Sequence, residues 1–166
     1  MPRVKPNRAL VVLLFVAILG GVLWSLLANP AQYTVAFGNP ILDEGQVEAR
    51  FSVIMVYVAI GFVFSFAWGW WAVRYFSNSS VLIILIYLTA LSFAALIAYR
   101  VGVAFGPTGF EAMTEFEEGA KLTERLSLDG PVPGVSWLIG GFLGLLGGLY
   151  QKHKQETEKF DSIVNF

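Results

Sequence analysis

Four long runs of uncharged, mostly apolar residues constrain this chain more than any other feature. Residues 9–28, 51–73, 81–99 and 132–150 contain twenty, twenty-three, nineteen and nineteen residues, without one Asp, Glu, Lys, Arg or His. A hydrocarbon core about 30 Å thick needs about 20 such residues in helix. In lipid the backbone must satisfy its own hydrogen bonds, so each run is expected to be a transmembrane helix. The third run can extend to Phe105 if Arg100 is tolerated at its end. The four runs take 81 of 166 residues, which leaves no room for a separate soluble domain of ordinary size. The expected fold is an all-α membrane protein: one integral domain over 1–166, built as a four-transmembrane-helix bundle with a small extracytoplasmic cap. Its outer loops would span 29–50 and 106–131, and its cytoplasmic tail 151–166.

Charge gives the bundle an orientation. The N-terminal segment, the second loop and the tail hold seven basic residues, Arg3, Lys5, Arg8, Arg74, Lys152, Lys154 and Lys159, against three acids. The first and third loops hold four basic residues, Arg50, Arg100, Lys121 and Arg125, against nine acids. The overall charge of −1 thus conceals +4 on one side and −5 on the other. Basic loops stay inside, so both termini are expected in the cytoplasm and the acidic loops outside, in a multi-pass protein of the inner (plasma) membrane. Arg3, Lys5 and Arg8 also resemble the start of a signal peptide. The apolar run is longer than a usual 7–15-residue h-region and no A-x-A site follows it, so the expectation is a retained helix.

Lipid provides no hydrophobic drive for helices to associate, and small residues at i, i+4 mark the faces that can approach closely. Each run carries such a stripe: Ala17, Gly21 and Ser25; Gly61, Ser65 and Gly69; Ala90, Ala94, Ala98 and Gly102; Gly140, Gly144 and Gly148. These thirteen residues are the expected helix-packing positions. Trp24, Trp68, Trp70, Trp71, Tyr75, Tyr99, Trp137 and Tyr150 lie near helix ends, where tryptophan and tyrosine favour the membrane–water interface, and are expected to be anchors.

The outer loops have patterns of their own. Tyr33, Val35 and Phe37 alternate with small or polar residues between Asn29-Pro30 and Asn39-Pro40, so a short strand bounded by turns is expected. In the third loop Thr108 precedes Glu111 by three, a capping-box spacing for a short helix that would carry Phe110, Met113 and Phe116 on one face. Leu122, Leu126 and Leu128 alternate in a second strand-like run, which Asp129-Gly130-Pro131 ends. Pairing of the two runs would cap the outer face.

Little in the chain can do chemistry. There is no cysteine, which removes disulfides, iron–sulfur clusters and thiolate chemistry, and the single histidine, His153, stands between Lys152 and Lys154 beyond the last span. Its expected role is headgroup-facing and not metal-binding. Pumps and coupled transporters place ionisable groups within the bilayer, and here the spans have none at their centres. No phosphate-binding glycine loop and no nucleophile–base set is present. The acidic run Glu111, Glu115, Glu117 and Glu118 lacks calcium-loop spacing and is expected to be a solvated face or an acidic docking patch. Neither catalytic, cofactor-binding nor metal-binding residues are expected, and the inner basic residues suit anionic lipid without any need for nucleic acid.

Several short motifs carry a resemblance. They are Trp24-Ser-Leu-Leu-Ala-Asn-Pro30, Asp43-Glu44-Gly45-Gln46-Val47, Ala98-Tyr99-Arg100-Val101-Gly102 with Gly106-Pro107, and Leu126-Ser-Leu128. In these the chain resembles an actinobacterial family of uncharacterised four-helix membrane proteins, although its third loop is more acidic than that family's pattern. In size and topology it is also similar to a small accessory subunit of the actinobacterial respiratory supercomplex, which joins cytochrome bc complex and cytochrome oxidase. The resemblance implies a non-catalytic subunit among haem-containing membrane partners and lipid, with no cofactor of its own. The alternative expectation is a small cell-envelope transporter or lipid-handling protein acting as a homo-oligomer. A third is an assembly chaperone that departs.

Overall fold

The computed structural model describes residues 6–42, 46–73, 81–110, 117–128 and 130–164. Four helices account for most of it: α1 (Pro6–Leu27), α2 (Gln46–Ala72), α3 (Val81–Phe105) and α4 (Val132–Val164). Each is long and apolar enough to cross a membrane. Three short strands, β1 (Gln32–Ala36), β2 (Asn39–Leu42) and β3 (Lys121–Thr123), complete the regular structure of the described residues.

The strands form one antiparallel sheet in the order β2-β1-β3. Because β1 belongs to the loop after α1 and β3 to the loop after α3, both loops meet at one end of the bundle. Helices α1 and α3 therefore run toward the sheet, and α2 and α4 away from it. The main packing is between helices of like direction. The closest backbone association joins α2 to α4, the next joins α1 to α3, and the antiparallel neighbours α1–α2 and α3–α4 touch less.

Asn39-Pro40 is not the turn that the sequence led us to expect. Both residues belong to β2, with Pro40 opposite Val35, and Pro40 is tolerated because β2 is an edge strand. The reversal falls instead at Phe37-Gly38, where φ is +54° and +72°. Two consecutive positive φ values define the type I′ turn, whose twist matches that of the hairpin strands. In the third loop the strand is shorter than the leucine alternation suggested. It ends at Thr123, and Leu126 is buried against Gly106 at the end of α3.

Helix α4 continues through the expected tail. Residues 151–164 carry on the helix without a break, aided by an i, i+4 contact between Lys154 and Glu158 at 3.9 Å. Its 33 residues reach about 50 Å at 1.5 Å per residue, well beyond a bilayer core, and residues 153–159 are exposed to solvent. The short helix expected after Thr108 falls for the most part outside the described residues. So do Arg3, Lys5, Arg74, Tyr75, Asp43, Glu44, Glu111, Met113, Glu115, Phe116 and Asp129.

Candidate functional site

The features able to act are the two like-direction helix seams, the aromatic layer between them and the cap. In the α2–α4 seam, Gly61, Ser65 and Gly69 face α4, while Gly140, Gly144 and Gly148 face α2. A methyl group at Gly69 would run into the Gly141 carbonyl oxygen and stand 3.0 Å from the Leu145 nitrogen. One at Gly144 would collide with the Phe66 carbonyl and stand 2.9 Å from the Trp70 nitrogen. One at Gly140 would meet the Ser65 hydroxyl and the Phe62 backbone. These are approaches of backbone to backbone, which only glycine permits.

The α1–α3 seam is built the same way on a smaller scale. Ala17, Ala94 and Ala98 are buried, a methyl at Gly21 would strike the Ala98 carbonyl, and one at Gly102 would enter the Trp24 ring. Ser25, at the end of its stripe, is half-buried and donates its hydroxyl to Val22 O at 2.7 Å. Ala90 is half-buried at the core's margin.

Aromatic side chains join the two pairs. Trp24 of α1 donates its indole N–H to the Val53 carbonyl of α2 at 2.9 Å. Trp68 of α2 donates to the Ala9 carbonyl of α1 at 3.0 Å, and the Tyr57 hydroxyl of α2 donates to the Ala95 carbonyl of α3 at 2.6 Å. The Trp24 and Tyr57 rings meet edge to face at 5.1 Å, and Trp68 lies 5.4 Å from Tyr87. Each helix carbonyl has a second lone pair beyond its ladder bond, so these bonds add cross-links without unwinding a helix. Trp137 fills the space beside Gly61 and Gly20, and its Nε1 makes no hydrogen bond among the described residues.

This corrects the expected belt of anchors: Trp24, Trp68 and Trp137 are core residues, buried between helices. The signal was present in the spacing. Trp24 follows Gly21 by three, Trp68 follows Ser65 by three and Trp137 precedes Gly140 by three, which puts all three rings on the small-residue face. Trp70 and Trp71 are half-buried, the former with its ring over Gly147.

The cap is tied down by charge. Arg50 in the first turns of α2 forms a two-pronged bond with Glu124, Nε to Oε2 at 2.9 Å and Nη2 to Oε1 at 2.6 Å, and also donates to the Tyr33 hydroxyl. Planar guanidinium against carboxylate gives this pair direction as well as attraction. Sequence inspection missed it because the two residues are 74 positions apart. At the hairpin tip both carboxylate oxygens of Glu118 accept the turn amides, from Phe37 at 2.9 Å and Gly38 at 3.1 Å. One member of the expected acidic docking patch is therefore engaged within the chain. Glu117 is exposed, and Glu111 and Glu115 lie outside the described residues.

Among the described residues no group of three or more His, Asp or Glu side chains is placed to hold a metal ion. No family model matches the chain, and neither curated proteins nor solved structures provide a match.

Proposed function

We propose that this chain is a non-catalytic structural subunit of a multisubunit membrane complex. Its likeness in size and topology to a small accessory subunit directs the specific reading to the actinobacterial cytochrome bc–cytochrome oxidase supercomplex. The observation that carries the reading is how the bundle interior is used. Glycine seams hold backbones in contact, and the buried Trp24, Trp68 and Tyr57 spend their polar atoms on neighbouring helix carbonyls. Such an interior rigidifies a scaffold and leaves no ionisable group at the centre of a span for coupling or chemistry. In this reading the chain sits in the plasma membrane with both termini cytoplasmic, as the +4 and −5 charge split favours. The sheet end then faces outward and the charged end of α4 projects into the cytoplasm. Its partners are haem-containing integral subunits and lipid.

Deleting the gene tests this. The expected result is less intact supercomplex on a native gel, with unchanged turnover per haem in what remains. Normal assembly with lowered turnover per haem would contradict a purely structural role.

A further inference from the structure

The hairpin tip carries a residue that the chain's own stability does not account for. Phe37 opens the β1–β2 turn at φ +54° and, among the described residues, is the one residue other than glycine with positive φ. That region is unfavourable for a side chain of this kind, and glycine or asparagine would occupy it readily. Phe37 is also 92% exposed, so no packing offsets the strain. The tip is held in place all the same. Glu118 accepts both turn amides through its two carboxylate oxygens, and Asn39 donates its Nδ2 to the Phe37 carbonyl at 3.1 Å. Strained residues that their surroundings fix in this way cluster at binding sites. A large ring on a clamped backbone has little freedom left to lose when it binds, which is what suits an aromatic anchor to a protein interface.

Charge selects what the ring can meet. Glu118 sits at the turn and the exposed Glu117 adjoins it in the chain. The one basic residue within the three strands, Lys121, lies opposite Thr34 and not at the tip. The two outer loops together hold nine acids against four basic residues. Segments that dip apolar side chains into an anionic membrane surface bring Lys or Arg with them, the reverse of this tip. A second copy would set one acidic tip against another, and like charges brought together across an interface repel. A different protein with an apolar pocket and a basic rim satisfies both the ring and the carboxylates.

We propose that Phe37 is a docking anchor: it inserts into an apolar pocket, rimmed by Lys or Arg, on a different protein outside the membrane. The proposal rests on the reading above, in which the sheet end of a multisubunit-complex component faces outward.

Photocrosslinking in intact membranes tests this, with benzoyl-phenylalanine at position 37 of the full-length chain carrying a C-terminal affinity tag. The expected result is one adduct to a protein other than this chain, at an extracytoplasmic segment that carries Lys or Arg. Phe37→Tyr should retain that partner on the tagged chain. Phe37→Gly should weaken retention about 10- to 100-fold, the factor for losing one buried phenylalanine. Misfolding does not confound that variant, because glycine suits the turn better, and proteolysis of the third loop should be no faster than in the wild type. Glu117→Lys should weaken retention by up to about fivefold, and less at high salt. Adducts only to lipid or to another copy, no adduct, or unchanged retention by Phe37→Gly would each overturn the proposal. Haem in the same eluates tests the subunit reading separately. Haem partners on the wild-type chain without an adduct at position 37 refute the anchor alone, whereas an adduct to a partner with no haem in the eluate refutes the respiratory assignment alone.

Discussion

Substituting alanine for Gly144 adds one methyl group at the closest point of the α2–α4 seam, and the structure sets the size of the effect. The new Cβ would collide with the Phe66 carbonyl oxygen and stand 2.9 Å from both the Phe66 carbonyl carbon and the Trp70 nitrogen. Comfortable non-bonded separations are about 3.5–4.0 Å, so the helices must part by about 0.5–1 Å. The obstruction is backbone on the opposing helix, which cannot rotate away as a side chain can. Overpacking of this kind costs about 1–3 kcal/mol, and parting the seam also loosens the contacts at Gly140, Gly141 and Gly148. Alanine returns at most about 1 kcal/mol in helix propensity. The expected net loss is about 1–2 kcal/mol. Gly134→Ala, on the same helix, is the matched control. There the nearest atom to a new Cβ is Ala95 Cβ at 3.9 Å, an ordinary contact, so the sign should reverse to a gain of up to about 1 kcal/mol. Reversible unfolding of both variants in mixed micelles, followed by circular dichroism, measures the pair. Equal effects at the two sites, or a stabilised Gly144→Ala, would refute the close-seam argument.

Three further outcomes follow from named contacts. Trp68→Phe and Trp137→Phe remove similar volumes, but only Trp68 loses a hydrogen bond, so Trp68→Phe should be the more destabilising by about 1 kcal/mol in the same unfolding assay. Phe37→Gly should stabilise the cap by about 1–2 kcal/mol, since Phe37 holds φ +54° with its ring 92% exposed and gains no packing in return. Slower proteolysis of the third loop would register that gain. Glu124→Gln should weaken the Arg50 latch by about 0.2–1 kcal/mol, the range for a partly exposed pair. It should also speed amide hydrogen exchange at Leu122 and Glu124, with little change in the helices.

The sequence made the spans legible because twenty uncharged residues admit few alternatives in lipid. Strands β1 and β3 were legible from the alternation around Tyr33 and Val35 and around Leu122. Which stripe meets which was not. All four stripes have the same i, i+4 spacing, and the choice of α1 with α3 and α2 with α4 depends on shape complementarity between backbones distant in sequence. Strand β2 was hidden by Asn39-Pro40, a pair that ordinarily signals a turn, while the real turn contains a phenylalanine that ordinarily avoids positive φ. The extension of α4 was obscured for a different reason. Residues 151–159 are good helix formers with no apolar periodicity, and the apolar run alone marks only the part in lipid. Among functional elements, the tryptophans were visible by position, but their burial was readable only by setting their spacing against the glycines. The Arg50–Glu124 pair had no local signal at all.

A structural subunit of the kind proposed should leave the membrane together with its partners. An affinity tag at the C-terminus, with solubilisation in mild detergent, tests it most directly through the ratio of haem to tagged chain in the eluate. Haem-containing partners are expected in a fixed stoichiometric ratio that persists through size-exclusion chromatography. A monodisperse eluate containing only the tagged chain, without haem absorbance, would contradict it.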